Sequence, residues 1–495
     1  MSAWAFDNVS RPATGYLWPR WLFLRSLGLI FLSAFYSLAY QIHGLIGERG
    51  ILPASAYLQQ LSGLLGGVEK FWYAPTLLWL NSSDAALGIV IVLGVTASVL
   101  LVLNIAPRAM IAVCTILFLT CIAALQDFSS YQSDGMLMEA GFISFFFAPR
   151  GLRPGLGALD PPSRIALFML RWEWFRIYLE SGLVKILSGD PTWRNLTAMD
   201  EYYQNGPLPA WPGWYVQHFP HWYHAFTVLL TFFVELLLVW TLFMPRRIRF
   251  ASFVVFTALQ IGIITTANYA FLNYLVLCLG VLLLDDRFLL LFDFPLVEAR
   301  AVDVTAGARI FRRTETVALA MAFYATIVAF LWGGSGSSLA LPNRLLAPFR
   351  IANAYGLFAV MTPARYEIEF QGSVDGKAWL PYHFRYKPQD VAERPGIYAP
   401  YQPRFDWNLW FASLAPWQQN PWIVSTEQRL IEGSPTVLAL FRDDPFHGSP
   451  PNVVRTVLYQ YWFTDLATKR ITGAWWRRQE LAQFSPAVQR DAPFR

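Results

Sequence analysis

A series of apolar runs, most of them close to the length of a bilayer crossing, fills the first two thirds of this chain and constrains it more than any other feature. A membrane-crossing helix needs about 20 mainly apolar residues, because hydrocarbon offers the backbone no outside hydrogen-bond partner. Nine candidate spans are read at roughly 21–41, 84–105, 108–125, 134–149, 164–187, 223–244, 248–267, 269–289 and 315–333. The fourth is short and could be re-entrant. Charged residues make up only 14% of the chain, against about 25% in soluble domains. The 21 Trp suit the headgroup zone, where an amphipathic ring is at home. The chain is therefore expected to be a polytopic membrane protein.

Loop charges set an expected orientation. Arg11 and Arg20 precede the first run, Arg108 and "PRGLRPG" flank short loops, "PRRIR" joins two runs, and "ARIFRR" precedes the last. Placing all of them in the cytoplasm requires a cytoplasmic N-terminus and nine crossings. The net charge of +5 is then topological and does not indicate nucleic-acid binding. The first run has no small-residue cleavage site behind it and reads as an uncleaved signal anchor. Cys114, Cys121 and Cys278 all lie inside apolar runs, so no disulfide is expected outside the membrane. Asn81 and Asn195 head glycosylation sequons on loops expected outside, relevant only in a eukaryote.

After "GSGSS" (334–338) the pattern changes. Tyr366, Ile368 and Phe370 alternate with Glu367 and Glu369, which predicts a half-buried strand. The Asp-Gly of "VDGKAW" and the alternation in "YHFRY" predict a hairpin. Residues 454–466 and 470–483 read as helices, and the apolar 349–361 as a segment on the membrane. The expected fold class is thus an α-helical polytopic membrane domain over 1–334, followed by a mixed, β-rich extracytoplasmic domain over 335–495.

Several charges fall within the expected bilayer. Charges at membrane depth are costly and usually face a bundle interior. In the fifth span Glu173, Arg176 and Glu180 share a helix face at pairing distance, while Arg171 and Lys185 share another. The fourth span carries Asp134 and Glu139, either of which could meet Lys185. Glu235 lies three turns after His224 on the same face and reads as a paired carboxylate. Such charges either lock helices together or form a site. The "SGDPTW" turn after Lys185 can cap a short helix through Asp190 or Thr192, and it carries 193–215 onto the outer surface. A groove between that segment and the C-terminal domain is the expected place for a substrate or client.

His218, His221 and His224 recur every third residue and are weak candidates for a metal; no acidic or Cys ligand stands at matching spacing. No GxSxG, Walker loop, HExxH or GxGxxG is present, and no cofactor is expected. Asn268 and Asn273 are read as hydrogen-bonding across helices. In "PRFDWNLWFASL", Trp407, Trp410 and Phe411 share a helical face with Arg404, beside Asp406. Lys387 could pair with Asp406. Aromatic and Arg anchors of this kind pack into a core or onto the bilayer, or serve an interface with a client.

"SDGMLMEAGF", "SGLVKILSGDPTWRNLTAMDEYYQNGPLP", "TANYAFLNY", "GSVDGKAWLPYHFRYKP", "RPGIYAPYQPRFDWNLWFASL" and "YQYWF" together resemble the lipase maturation factor family, in order from about residue 130 to 465. That resemblance implies a multipass membrane protein that assists the assembly of secreted lipases, resident in the ER membrane in animals. Without outside cysteines and with "DAPFR" at its end, the chain reads as a bacterial member, with its C-terminal domain in the periplasm. "SGLVKILSGDPTW" also resembles a pattern of the superfamily that includes vitamin K-dependent γ-carboxylases. That likeness implies an alternative: a membrane-embedded enzyme modifying a lipid or a secreted protein, with Lys185 as base. A transporter would show paired halves, and no repeat is present.

Overall fold

The computed structural model describes residues 13, 15–299, 306–332 and 338–490. Arg11, most of "GSGSS", the expected domain boundary at 334 and the final "DAPFR" lie outside the described residues.

Helices occupy all nine predicted positions. They are α1 (Leu17–Ala39), α2 (Asp84–Val102), α3 (Pro107–Ile122), α4 (Gln132–Phe147), α5 (Arg164–Leu187), α6 (His221–Phe243), α7 (Arg246–Thr266), α8 (Leu272–Leu283) and α9 (Ala306–Trp332). Five of these, α1, α2, α6, α7 and α9, are long and apolar enough to cross a membrane. The others depart from that pattern for readable reasons. α3 and α8 are apolar but shorter. α4 has 16 residues, nearly all buried, and α5 carries the charges.

Sequence-local signals set the helix starts. Ser83 caps α2 through Ala86 N, and Ser163 caps α5 through Ala166 N. The start of α1 is capped from far away: Asp286 accepts the backbone N–H groups of Leu17 and Trp18. α1 and α2 pack closely because residue 94 is glycine; a Cβ there would stand 2.4 Å from the Phe35 ring.

The helices differ in what surrounds them. In α1, 61% of the apolar window is buried, against 22% in α6 and 17% in α7. An apolar helix that buries so little presents its side chains to lipid. α4 and α5 form the interior, and this accounts for the polar residues they carry.

The C-terminal region contains one antiparallel sheet in the order β2-β1-β3-β4. Its strands are β1 (Arg365–Ser373), β2 (Leu380–Pro381), β3 (Val453–Phe463) and β4 (Trp476–Gln489). Two helices lie against it, α10 (Arg404–Ala412) and α11 (Trp422–Ile431). Phe370, Phe384, Phe405 and Phe441 cluster between sheet and helices.

Three expectations are corrected here. Residues 454–466 form strand β3, not a helix, and 470–483 fall mostly in β4; the intervening helix is only Leu466–Thr472. "WRRQELAQ" is rich in helix formers, but pairing with the β-branched and aromatic β3 outweighs that propensity. The hairpin turn at Asp375-Gly376 forms, but its second arm is two residues long and "YHFRY" is irregular. β1 is buried almost throughout rather than on one face, because Glu367 and Glu369 meet cations. Arg365 and Lys387 pair with Glu367, and Arg478 with Glu369.

Candidate functional site

Most of the intramembrane charges of α4 and α5 are paired, but not as the sequence predicts. Asp134 does not meet Lys185. It takes a two-pronged bond from Arg404 of α10, with both N–O distances 2.8 Å and both side chains fully buried. Arg404 also donates to Phe128 O at 2.9 Å, and its guanidinium stacks over Tyr131. The C-terminal region is thereby anchored in the helical domain.

Glu139 does not meet Lys185 either. It pairs with Arg176, deeper in the bundle. Tyr355 OH and Asn353 Nδ2 donate to the second oxygen of Glu139, at 2.8 and 3.2 Å. Arg176 donates to Asn353 O at 2.6 Å and stands 3.9 Å from Glu180, which accepts Tyr355 N at 2.6 Å. Glu173 is buried beside this group, and neither of its oxygens has a hydrogen-bond partner among the described residues. The segment 349–361 therefore threads into the helices instead of lying on the membrane. Asn353 and Tyr355, polar residues in an apolar stretch, were the available signal. Arg171 stands apart: it donates to Leu282 O and stacks on Tyr16.

Lys185 pairs with Glu235 of α6, Nζ–Oε distances being 2.8 and 3.0 Å. Ser181 O and Leu357 O accept from the same ammonium at 3.2 and 3.1 Å. Two local devices bring the partners together. Residue 182 is glycine, and a Cβ there would stand 2.9 Å from Glu235 Cβ. In addition, α6 passes through a π-helical turn at Phe233–Leu237, which contains Glu235. Such turns are rare and recur at functional sites. A general base needs a free, deprotonated amine. Lys185 has more acceptors than protons to give, so this arrangement provides an ion pair instead.

Beside this pair lies a cavity of about 480 Å³, bounded by α5, α6, α7, α8 and the 357–361 segment. The "SGDPTW" turn closes one side. Asp190 caps it through Thr192 N at 2.8 Å and reaches Met361 N at 2.7 Å, while Trp193 Nε1 donates to Phe358 O.

The three histidines part company. His218 lies between Trp214 O and Thr464 O, His221 faces Asp200, and His224 is buried. Among the described residues no three His, Cys, Asp or Glu converge to hold a metal ion. Asn268 bonds Leu208, Pro209, Gly396, Tyr398 and Ala399 backbone groups, and Asn273 bonds Gln260.

The residues read as a client interface are mostly internal. Arg404, Asp406, Trp407 and Lys387 are buried. Asp406 does not pair with the Lys387 ammonium; it accepts the backbone N–H groups of Tyr386 and Lys387, and Lys387 Nζ goes to Glu367. Burial pushes the Asp406 carboxyl up to about 6 despite these donors. Trp410 donates to Asn205 O, and Trp407 and Phe411 pack on Tyr131. Phe411, 46% exposed, faces outward most, and Trp410 is half-buried.

A family model described as the lipase maturation factor transmembrane domain matches residues 18–291, and one described as the lipase maturation factor C-terminal domain matches 351–486. The chain belongs to the lipase maturation factor family. Lipase maturation factor 1 of Bos taurus is 32% identical over 517 residues, covering 98% of this chain and 92% of its own. The human protein of that name is also 32% identical, over 96% and 88%. Lipase maturation factor 2 of Gallus gallus is 32% identical over 95% and 81%. No solved structure matches. In this family member, the matched domains are the helical membrane domain and the sheet-bearing region that Arg404 ties to it.

Proposed function

We propose that this protein is a membrane-anchored maturation factor for exported lipase-type proteins. In this proposal residues 1–334 form a nine-span membrane domain with a cytoplasmic N-terminus. Residues 335–495 form an extracytoplasmic domain, in a periplasm or, in a eukaryote, an ER lumen. The client comes from the names of the relatives, and the loop charges support the orientation.

The observation that carries the proposal is the surface of the C-terminal region. β4 is a 14-residue edge strand, exposed along most of its length. An edge strand offers unpaired backbone groups to an incompletely folded chain. Next to it lies a shallow groove of about 360 Å³, lined by Leu414, Trp417, Leu458 and Phe484. Phe411 lies just before this groove in sequence. The buried Arg404–Asp134 bond holds the whole surface in one place relative to the membrane.

The test is co-expression with a secreted lipase in cells lacking their own maturation factor. Wild type is expected to raise secreted lipase activity. Leu414→Asp and Phe484→Asp are expected to lower it without changing the amount of the factor in the membrane. Failure of wild type to raise activity with any lipase would refute the client class. Full activity of both variants would refute the groove. Orientation is read by labelling Ser449→Cys from outside in intact cells or vesicles, since the three native cysteines are buried.

A further inference from the structure

The cavity beside Lys185 and Glu235 has a composition that specifies a ligand. Its volume of about 480 Å³ falls within the roughly 300–1,000 Å³ of small-molecule sites. Its walls are mainly aliphatic, with Leu230, Val234, Leu259, Ile263 and Val276 along them. Among the described residues Lys185 and Glu235 are the only charged ones in its lining, and they neutralise each other at 2.8 Å. A ligand carrying a net charge, or the separated charges of a zwitterion, would be buried with no free counter-charge, which is expensive. The occupant is therefore uncharged.

The polar groups define its head. Ser181 Oγ is buried, lines the cavity and has no hydrogen-bond partner among the described residues. One turn earlier, Tyr178 OH accepts Gln260 Nε2 at 2.8 Å, which leaves its own proton to give. Gln260 is held in turn by Asn273. Two hydroxyl donors on one face of α5 suit an acceptor oxygen on the ligand.

The entrance faces lipid. Val255, Ala258, Gly262 and Thr265 line the cavity and are also exposed on α7, one of the two helices that bury least. An occupant can enter sideways from the bilayer.

We propose that this cavity binds one uncharged lipid. Its ester, carbonyl or hydroxyl oxygen sits at Tyr178 and Ser181, and its hydrocarbon lies along α6, α7 and α8. An acylglycerol and a sterol share this chemistry.

The test uses the full chain in lipid nanodiscs and three photoreactive, alkyne-tagged probes: a monoacylglycerol, a sterol and a lysophosphatidic acid. At least one uncharged probe is expected to label peptides within 223–276, and its unlabelled counterpart should compete. Labelling by only one of the two uncharged probes names the source. Gly262→Trp obstructs the entrance. A Cβ at 262 has no atom within 4 Å, so the backbone accommodates the change. Labelling should fall about tenfold in this variant, equivalent to about 1.4 kcal/mol, with the melting curve unchanged. Tyr178→Phe/Ser181→Ala should weaken competition by the uncharged lipid. Should Gly262→Trp fail to fold, lipid extracted from purified wild type decides the matter: about one equivalent of an uncharged lipid supports the site, and only bulk phospholipid overturns it. Equal or stronger labelling by the charged probe overturns it too, as does labelling unaffected by a folded Gly262→Trp.

Discussion

Two buried ion pairs, Arg404–Asp134 and Lys185–Glu235, put similar chemistry to different use. The first is sealed. Both side chains are wholly buried, the contact has two prongs, and Phe128 O and the Tyr131 ring surround the guanidinium. The second stands at the edge of a cavity, with Glu235 13% exposed and a π-helical turn beneath it. A buried pair costs desolvation that only good geometry repays, so a sealed pair contributes mainly by being worse when broken. A pair beside a cavity can be rehydrated when one member is removed. The first joins two parts of the molecule; the second shapes a space.

The largest effect is expected at the sealed pair. Arg404→Ala leaves Asp134 buried and unpaired, at a cost of about 3–5 kcal/mol, read as a lower melting temperature in detergent and faster proteolysis of the C-terminal region. Arg404→Lys should recover only part of this, since one ammonium cannot reproduce a planar fork. A shift no greater than that of Glu235→Gln would erase the contrast between the pairs.

Gly182→Ala comes next. Its methyl would press on Glu235 Cβ and Leu236, with an overpacking cost of about 1–3 kcal/mol. Because α6 is pushed away from Lys185, lipid labelling of the cavity should change in the same variant. A neutral result in both would mean that α6 needs no close approach here. Glu235→Gln is expected to cost less, about 1 kcal/mol, measured by the same melting curves. Asp134→Asn should cost clearly more.

A third case sharpens the comparison, a buried carboxyl with no cation against it among the described residues. Glu427 of α11 accepts Ser485 Oγ at 2.8 Å, and burial pushes it up from 4.5 to about 8. The folded state therefore holds this proton at pH values where the unfolded chain releases it. The resulting stability is present below about pH 4.5 and is lost as pH rises through about 8. Between pH 6 and 7 the change is at most about 1.4 kcal/mol. Glu427→Gln should flatten this decline, which melting curves across that range would show; a slope equal to wild type would assign the pH dependence to other groups.

The legible parts of this molecule were those with local causes. Apolar runs marked all nine helices, because burying an uninterrupted apolar segment leaves the backbone few options but to bond to itself. Asp190 caps the turn after α5 as expected, and Ser83 and Ser163 are caps of the same local kind. The pairing of charges was legible in kind, since buried charges seek partners, but not in identity. Lys185 could be matched by depth to Asp134 or Glu139, whereas the partner chosen lies 50 residues on, in a helix admitted by Gly182 and turned by a π-helical segment. Arg404 and its aromatic neighbours read as packing into a core or onto the bilayer, or as an interface with a client; nothing local indicated that the other side was Tyr131 and Asp134 of the helical domain.

The sequence by itself thus determined the class of protein, its helices, its family and the need for intramembrane charge pairs. Hydropathy, caps and composition act over a few residues and survive in any arrangement of the helices. The tertiary structure alone decided which charges meet, which helices face lipid, that β3 and β4 are strands, and that a cavity of no net charge opens along α7. These depend on distances between residues tens to hundreds of positions apart, which packing sets and local pattern does not encode.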